Sequence, residues 1–436
     1  MRTFLCSLVV CGSLCGAAES ARAETRPLSL EEALRIARSQ SPVLKKAEAQ
    51  AQAASARGDG ALGRLLPQVT ANGSWQHTTD NFVPRPGFAG TPPQMFRQWN
   101  FVNAYAFTLA GTQLLYDFSS IDLYRAQRED ARAQDDLQRA AVLTTEFAVR
   151  NAFFQARTQR ELIEVADKTL ANQEKHLAQV EAFVEVGTRP EIDLAQSRTD
   201  VANARVQLLR AQHGYATARE NLKLVMGVSG TDEYDVNAET LAPLAEETLD
   251  SERLLQLANR SRPELAALSR QLEAQRLRTS AAKGRFGPAI NANGNLSTAG
   301  VELDNLRTNV FVGLSASWSL LQSGGTFAAI HEQQANQRGL EADMSALTQR
   351  IRVELEQARL TIEAAKAALG ASDEALSAAQ ARLGLAEGRY EAGVGNAIEL
   401  GDAQLALTGA AAQRVQMEYN LAIARAQLLA ALGKSL

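Results

Sequence analysis

The chain repeats itself. Residues 29–74 and 250–295 run in register at a constant separation of 221 (255 − 34), with Leu34 matching Leu255, Ala37 matching Ala258 and Pro42 matching Pro263. The match continues through Arg64 with Arg285, Pro67 with Pro288, and Asn72-Gly73 with Asn293-Gly294. It resumes with Leu115-Tyr116 against Leu320-Leu321, Gly187 against Gly393, Ile192 against Ile398, Ala218-Arg219 against Ala424-Arg425 and Gly227 against Gly433. A tandem duplication of about 200 residues therefore governs the fold: whatever one copy builds, the other builds too, and the two must fit each other. The separation then falls to about 206, so the first copy carries roughly fifteen extra residues, which the alignment puts in the segment after position 80. A long loop is expected at residues 81–100, rich in proline (Pro84, Pro86, Pro92, Pro93).

The ends and the composition narrow the class. Residues 1–23 combine a basic start at Arg2, an apolar stretch and Ala21-Arg22-Ala23, the pattern of a secretory signal. All three cysteines (Cys6, Cys11, Cys15) fall inside it, so no disulfide, thiolate metal site or cysteine nucleophile is expected in the exported chain, and neither Cys11 nor Cys15 sits in a lipidation motif. The net charge of −4 offers no basic surface to nucleic acid. The four histidines (His77, His176, His213, His331) lack ligand spacing, no phosphate-binding glycine loop occurs, and Ser280-Ala281-Ala282-Lys283 stands without companion motifs. No catalytic constellation, cofactor or metal site is expected. Past the signal, no stretch is long and apolar enough for a spanning helix, so entry into a bilayer would require a barrel.

Each copy opens with a short helical segment (about 29–41 and 251–262), a proline, and a second helix ending near Arg64 or Arg285. After Pro67 and Pro288 the period changes to 2, giving strands at about 68–80 and 101–116 in the first copy and 288–299 and 307–321 in the second. Val69, Ala71 and Trp75 alternate with Thr70, Asn72, Ser74 and Gln76; Val310, Val312, Leu314, Ala316, Trp318 and Leu320 alternate with Phe311, Gly313, Ser315, Ser317 and Ser319. Two hairpins on a soluble core would give this pattern. Strands of about 10 residues with a small polar second face also suit a bilayer crossing. Four strands cannot close, since about 8 make the smallest filled barrel, so a membrane reading forces several chains to share one.

Long helical hairpins follow at about 119–227 and 326–432. A run near 70 residues reaches about 100 Å at 1.5 Å per residue, too long for a compact domain. The return helices keep a heptad, with Leu194, Val201, Leu208, Tyr215 and Leu222 on one seam position and Leu400, Leu407, Arg414, Leu421 and Leu428 on its duplicate. A free-standing antiparallel coiled coil would explain that seam as well, but not the strands. The chain thus divides into a signal (1–23), repeat 1 (24–228), a linker (229–249) and repeat 2 (250–436).

The duplicated block of helix pair, proline, strand hairpin, long helix, Val186-Gly187-Thr188-Arg189 or Ala392-Gly393-Val394-Gly395 turn and heptad helix resembles the TolC-like outer-membrane efflux protein family. The resemblance covers essentially the whole exported chain. It implies a mostly α fold with a transmembrane β part: a homotrimer whose four strands per protomer make a 12-stranded β-barrel, continued by an α-helical coiled-coil barrel. It also implies the outer membrane of a Gram-negative bacterium, contact with its lipid, a periplasmic adaptor, and an inner-membrane pump of RND, ABC or MFS type, for efflux or type I secretion. The two turns, 186–189 and 392–395, become adaptor-docking tips rather than only chain reversals. Glu399 and Asp402, three apart and otherwise a solvated face, become an acidic ring at the periplasmic entrance. Asp193 and Tyr390 take the positions of a gate tether, phenol to carboxylate. The arginine of a second tether is replaced by Gly395, with Arg189 or Arg389 as possible substitutes. The competing reading is a periplasmic coiled-coil scaffold that never enters a membrane. The cargo is not legible.

Overall fold

Proline begins a helix at the same place in both halves. Pro42 and Pro263 hold the first position of α2 (Pro42–Gly63) and α6 (Pro263–Gly284), where the missing N–H is not needed and the fixed φ already suits a helix. The preceding helices, α1 (Leu30–Gln40) and α5 (Ser251–Ser261), therefore stop there; Ser29 and Asp250 cap their starts by accepting from Glu32 and Arg253 N–H. The computed structural model describes residues 26–79, 101–229, 234–320 and 324–435. The signal and the 81–100 loop lie outside the described residues.

Strands β2 (Gln68–Thr79) and β3 (Phe101–Tyr116) from the first half join β5 (Ala289–Gly300) and β6 (Arg307–Ser317) from the second in one antiparallel sheet of order β2-β3-β5-β6. A two-stranded parallel pairing of β1 (Arg26–Leu28) and β4 (Tyr234–Val236) is separate from it. The register sets Ala71 opposite Leu109, Trp75 opposite Tyr105, Leu109 opposite Leu296, and Leu296 opposite Val310. Because directly opposed residues share a face, the apolar sets of all four strands combine into one surface. Asn72, Thr108, Ser297 and Asn309 form the other by the same pairing. A bulge at Leu115 lets Tyr116 pair with Ile290 and stay on the apolar side. Phe311 is the exception to the alternation: it points to the polar face, and its ring lies 2.7 Å from where a Cβ on Gly313 would stand.

The last strand is shorter than its alternation indicates. It ends at Ser317 rather than 321, because β5 begins at Ala289, opposite Ser317, and offers no backbone beyond. Trp318 leaves the ladder and donates from Nε1 to the Phe286 carbonyl at 2.9 Å. Leu321 is outside the described residues.

Two helices run the length of the helical part: α3 (Phe118–Glu185, 68 residues) and α7 (Gly325–Glu391, 67 residues), each near 100 Å at about 1.5 Å per residue. Nearer the sheet the wall is ordered α2-α3-α6-α7. Farther away α4 (Glu191–Met226) replaces α2 and α8 (Ala397–Leu432) replaces α6. The replacements meet end to end. Gly227 and Gly433 close α4 and α8 with φ of 77° and 70°, and a Cβ there would come within 2.7 Å of Pro42 Cδ or 2.9 Å of Arg262 Cα. Glycine is thus required twice over, for left-handed backbone and for contact with the next helix. Arg262 Nε donates to the Ala431 carbonyl at 2.6 Å across the second junction. Each protomer is therefore four parallel rods, two continuous and two spliced.

The splices sit within the main cores. Leu34, Phe153, Phe154, Leu222, Met226 and Val236 form one, and Leu254, Ile351, Leu355, Leu428 and Leu432 its duplicate. Glu247, in the chain leading into α5, is nearly inaccessible and takes cations from both long rods of the second half: Arg425 at 2.8 Å, and Lys366. Of the heptad seam, Val201, Leu222, Leu400, Leu421 and Leu428 are buried. Arg414 turns out of it to pair with Asp373 at 2.8 Å and Glu418 at 3.3 Å.

Candidate functional site

The end of the rods opposite the sheet is built by two turns. After α3, Gly187 takes φ of 77°, its N–H reaching the Val184 carbonyl at 2.9 Å, while Thr188 donates from N and Oγ1 to the Phe183 carbonyl at 3.0 and 2.9 Å. After α7, Gly393 takes φ of 76°, and the N–H groups of Val394 and Gly395 share the Arg389 carbonyl at 3.1 and 2.9 Å. A side chain at Gly395 would begin 2.9 Å from Tyr390 N and 3.0 Å from Arg389 C. The turn, as built, therefore leaves no room for a side chain at this position. Asn396 caps α8 by accepting from Glu399 N–H at 2.7 Å. Each tip exposes apolar side chains: Val186 and Ile192 on the first, Val394 and Ile398 on the second. With Thr188 and Ala392, these turns present small apolar knobs on rigid helix ends.

Behind the turns, Val180, Leu383, Ala386, Tyr390, Leu400 and Ala403 form a third core shared by both hairpins. Arg189 spans it from the first turn. Its guanidinium lies 4.4 Å from the Tyr390 ring centre, and Nη2 reaches the carbonyls of Tyr390 at 3.4 Å and Gly395 at 3.3 Å. The phenol-to-carboxylate link between Tyr390 and Asp193 is not made: the Tyr390 hydroxyl is buried and has no hydrogen-bond partner among the described residues. Burial is the main force pushing the Tyr390 phenol up; the Asp193 charge adds to it and Arg189 opposes it. Asp193 therefore acts on this core through its field and its place in the first turn of α4. The connection between hairpins passes through Arg189 instead.

The acidic pair is divided. Glu399 is engaged by Arg389 Nε at 3.1 Å, with both side chains about half exposed. Asp402 lines an open groove of about 570 Å³ between α3, α4 and α8, together with Asp200, Gln196 and Arg210. The two carboxylates thus differ: one carries a counter-ion within the protomer, the other faces an open groove. Sequence reasoning passed over His176, because ligand spacing alone was asked of the histidines. It lies edge-on to Tyr390, with ring centres 5.2 Å apart. The usable signal was His176, Val180 and Phe183 at spacings of four and three, one helical stripe aimed into this core.

The profile of the outer membrane efflux protein family matches residues 33–228 and 254–434, both copies of the repeat. The chain belongs to that family. Individual relatives are distant: the probable outer membrane lipoprotein SilC of Salmonella typhimurium is 27% identical over 207 residues, 46% of this chain and 44% of its own. The cation efflux system protein CusC of Escherichia coli K12 is 26% identical over 203 residues, 46% and 42%. The chain thus matches under half the length of these curated relatives. Structural likeness is wider. The CusC structure superposes with a TM-score of 0.79 at 20% identity, covering 93% of this chain and 92% of that one. The Campylobacter jejuni CmeC outer membrane channel gives 0.80 at 16%, covering 93% and 85%. At these identities the fold is what is shared. As an outer membrane efflux protein, the chain resides in the outer membrane, with the sheet as its membrane part and the rods on the periplasmic side.

Proposed function

We propose that three copies assemble into the exit duct of an export machine, passing cargo through the periplasm and outer membrane by diffusion. One observation carries this reading: an open four-stranded sheet whose apolar face is bare, with Trp75 at 64%, Val310 at 68% and Val312 at 83% exposure, and whose edges β2 and β6 are both unpaired. In hydrocarbon such edges would leave backbone groups unsatisfied at several kcal/mol each. Pairing β6 of one copy with β2 of the next removes both edges, and three copies give 12 strands, enough to enclose water. The four rods of each copy then make 12 staves below. A scaffold in the periplasm would leave the apolar face in water, and nothing supports that alternative.

The exposed knobs at Val186 to Arg189 and Ala392 to Gly395 suit capture by a periplasmic adaptor, which couples the duct to an inner-membrane pump of RND, ABC or MFS type. The matched relatives include one named for cation efflux and one for toluene efflux, so likeness does not choose a cargo. Three-fold symmetry places six carboxylates, Glu399 and Asp402, around the periplasmic entrance, where they favour cations. Replacing both by alanine is expected to lower cation selectivity in single-channel recordings, with Asp402 alone giving most of the loss because Arg389 already offsets Glu399. Unchanged selectivity in the double variant would remove the ring. Mass measurement of the detergent-extracted protein tests the assembly: three copies are expected, and a monodisperse monomer contradicts it.

A further inference from the structure

Behind the tip, two polar atoms are enclosed without partners. His176 on α3 is 7% exposed and Tyr390 on α7 is 2% exposed; neither His176 Nδ1 nor the Tyr390 hydroxyl has a hydrogen-bond partner among the described residues. Their rings meet edge to face, 5.2 Å apart and inclined at 68°. The walls are apolar: Val180 and Phe183 from α3, Leu383 and Ala386 from α7, Leu400 and Ala403 from α8. A single copy of the chain is enough to enclose both atoms. Each atom carries a desolvation penalty that no bond offsets. The contact also joins α3 of one hairpin to α7 of the other, the same seam that Arg189 crosses. Parting the hairpins is what would return both groups to water.

The charged surroundings are few. From α4, Asp193 and Asp200 face the imidazole and favour its protonated form, but burial outweighs them and holds it below the usual imidazole range. From the α3–α4 turn, Arg189 stands on the Tyr390 ring. From α7, Arg389 is engaged with Glu399 of α8. On α3 itself, Glu174 and Glu181 are paired with Arg205 and Arg198 of α4. Among the described residues no carboxylate is hydrogen-bonded to the ring.

We propose that His176 is a proton-operated release for the hairpin seam, so that acidification of the periplasm biases the duct toward its open form. This rests on the export-duct reading. A proton binds the hydrated imidazole of parted hairpins more readily than the enclosed one. The closed form's advantage is therefore complete above the ordinary imidazole value, about 6.5, and is lost as pH falls below it, down to the depressed value of the enclosed ring. Over that window the closed-to-open ratio changes by up to about tenfold per pH unit per protomer. Asp193 and Asp200 stabilise the imidazolium once water reaches it.

The test compares the wild-type trimer with His176→Gln and His176→Asn in planar bilayers at about pH 7.5 and about pH 5, either side of the imidazole range. Open probability is expected to rise about tenfold or more in wild type and to stay level in the variants. An equal rise in the variants overturns the proposal, as does a wild-type channel indifferent to pH; the duct itself survives both. Absence of any conductance in wild type at either pH overturns the duct, and the release with it. Hydrogen exchange in detergent gives a readout independent of conduction. At acid pH, peptides covering 176–186 and 386–395 are expected to exchange faster in wild type than in His176→Gln at the same pH. Equal rates overturn the proposal.

Discussion

At the tip, Arg189 is the side chain that reaches from one hairpin onto the other. A guanidinium over an aromatic face at a partly exposed site contributes about 0.5–1 kcal/mol, and its two long hydrogen bonds to Tyr390 and Gly395 carbonyls add to that. Arg189→Ala is therefore expected to raise resting conductance several-fold. Tyr390→Phe removes a hydroxyl that bonds nothing among the described residues and keeps the ring on which Arg189 rests, so resting conductance should not rise above the wild-type level, and relief of the buried hydroxyl's desolvation penalty should lower it if anything. The reverse order of these two variants in single-channel recordings would restore the phenol-to-carboxylate tether. That tether rests on positions alone; in the structure Asp193 acts on Tyr390 only through its charge. What spacing could not give is where a hydroxyl points once its ring is packed by His176 and Phe183. At Gly395 the sequence shows the glycine but not its reason, and the crowded Arg389–Tyr390 backbone of this turn supplies one.

Among the elements, the helices were the most legible, because glycine turns and heptads are local signals: α4 and α8 run from just past each tip turn to Gly227 and Gly433. The end of β6 was not, because alternation continues through Trp318 and Leu320 while the limit is set by where its partner β5 begins. Nor was the splicing of α2 onto α4 and α6 onto α8, a contact between segments far apart in sequence, although the glycines that permit it were visible as a repeat. The sheet's two faces follow from register and make unequal demands. Val312→Arg puts a charge on the bare apolar face, at a cost of about 2–4 kcal/mol near the bilayer midplane, and should sharply reduce the yield of membrane-inserted trimer. Asn293→Arg lies on the polar face, opposite Gly313 and hydrogen-bonded to Ser315. It should insert normally and shift selectivity toward anions. Equal loss of assembly in both would mean that neither face meets lipid.

At the scale of the whole molecule, duplication is what makes the shape possible. Two copies of a helix pair, hairpin and long helical hairpin give a chain with four strands at one end and four rods behind them, and with two sheet edges that are unpaired among the described residues. Among the described residues nothing covers the exposed strands, which is what the proposed assembly would supply. The proposed gate belongs to this scale as well, because the Arg189–Tyr390 contact joins the two halves of the duplication at the end farthest from the sheet. The direct test is the conductance of the detergent-purified exported chain in a planar bilayer, with particle mass determined on the same preparation. Small, cation-selective steps from a particle of three copies are the predicted result. A water-soluble species that produces no conductance would contradict the account, since the sheet would then never form a membrane barrel.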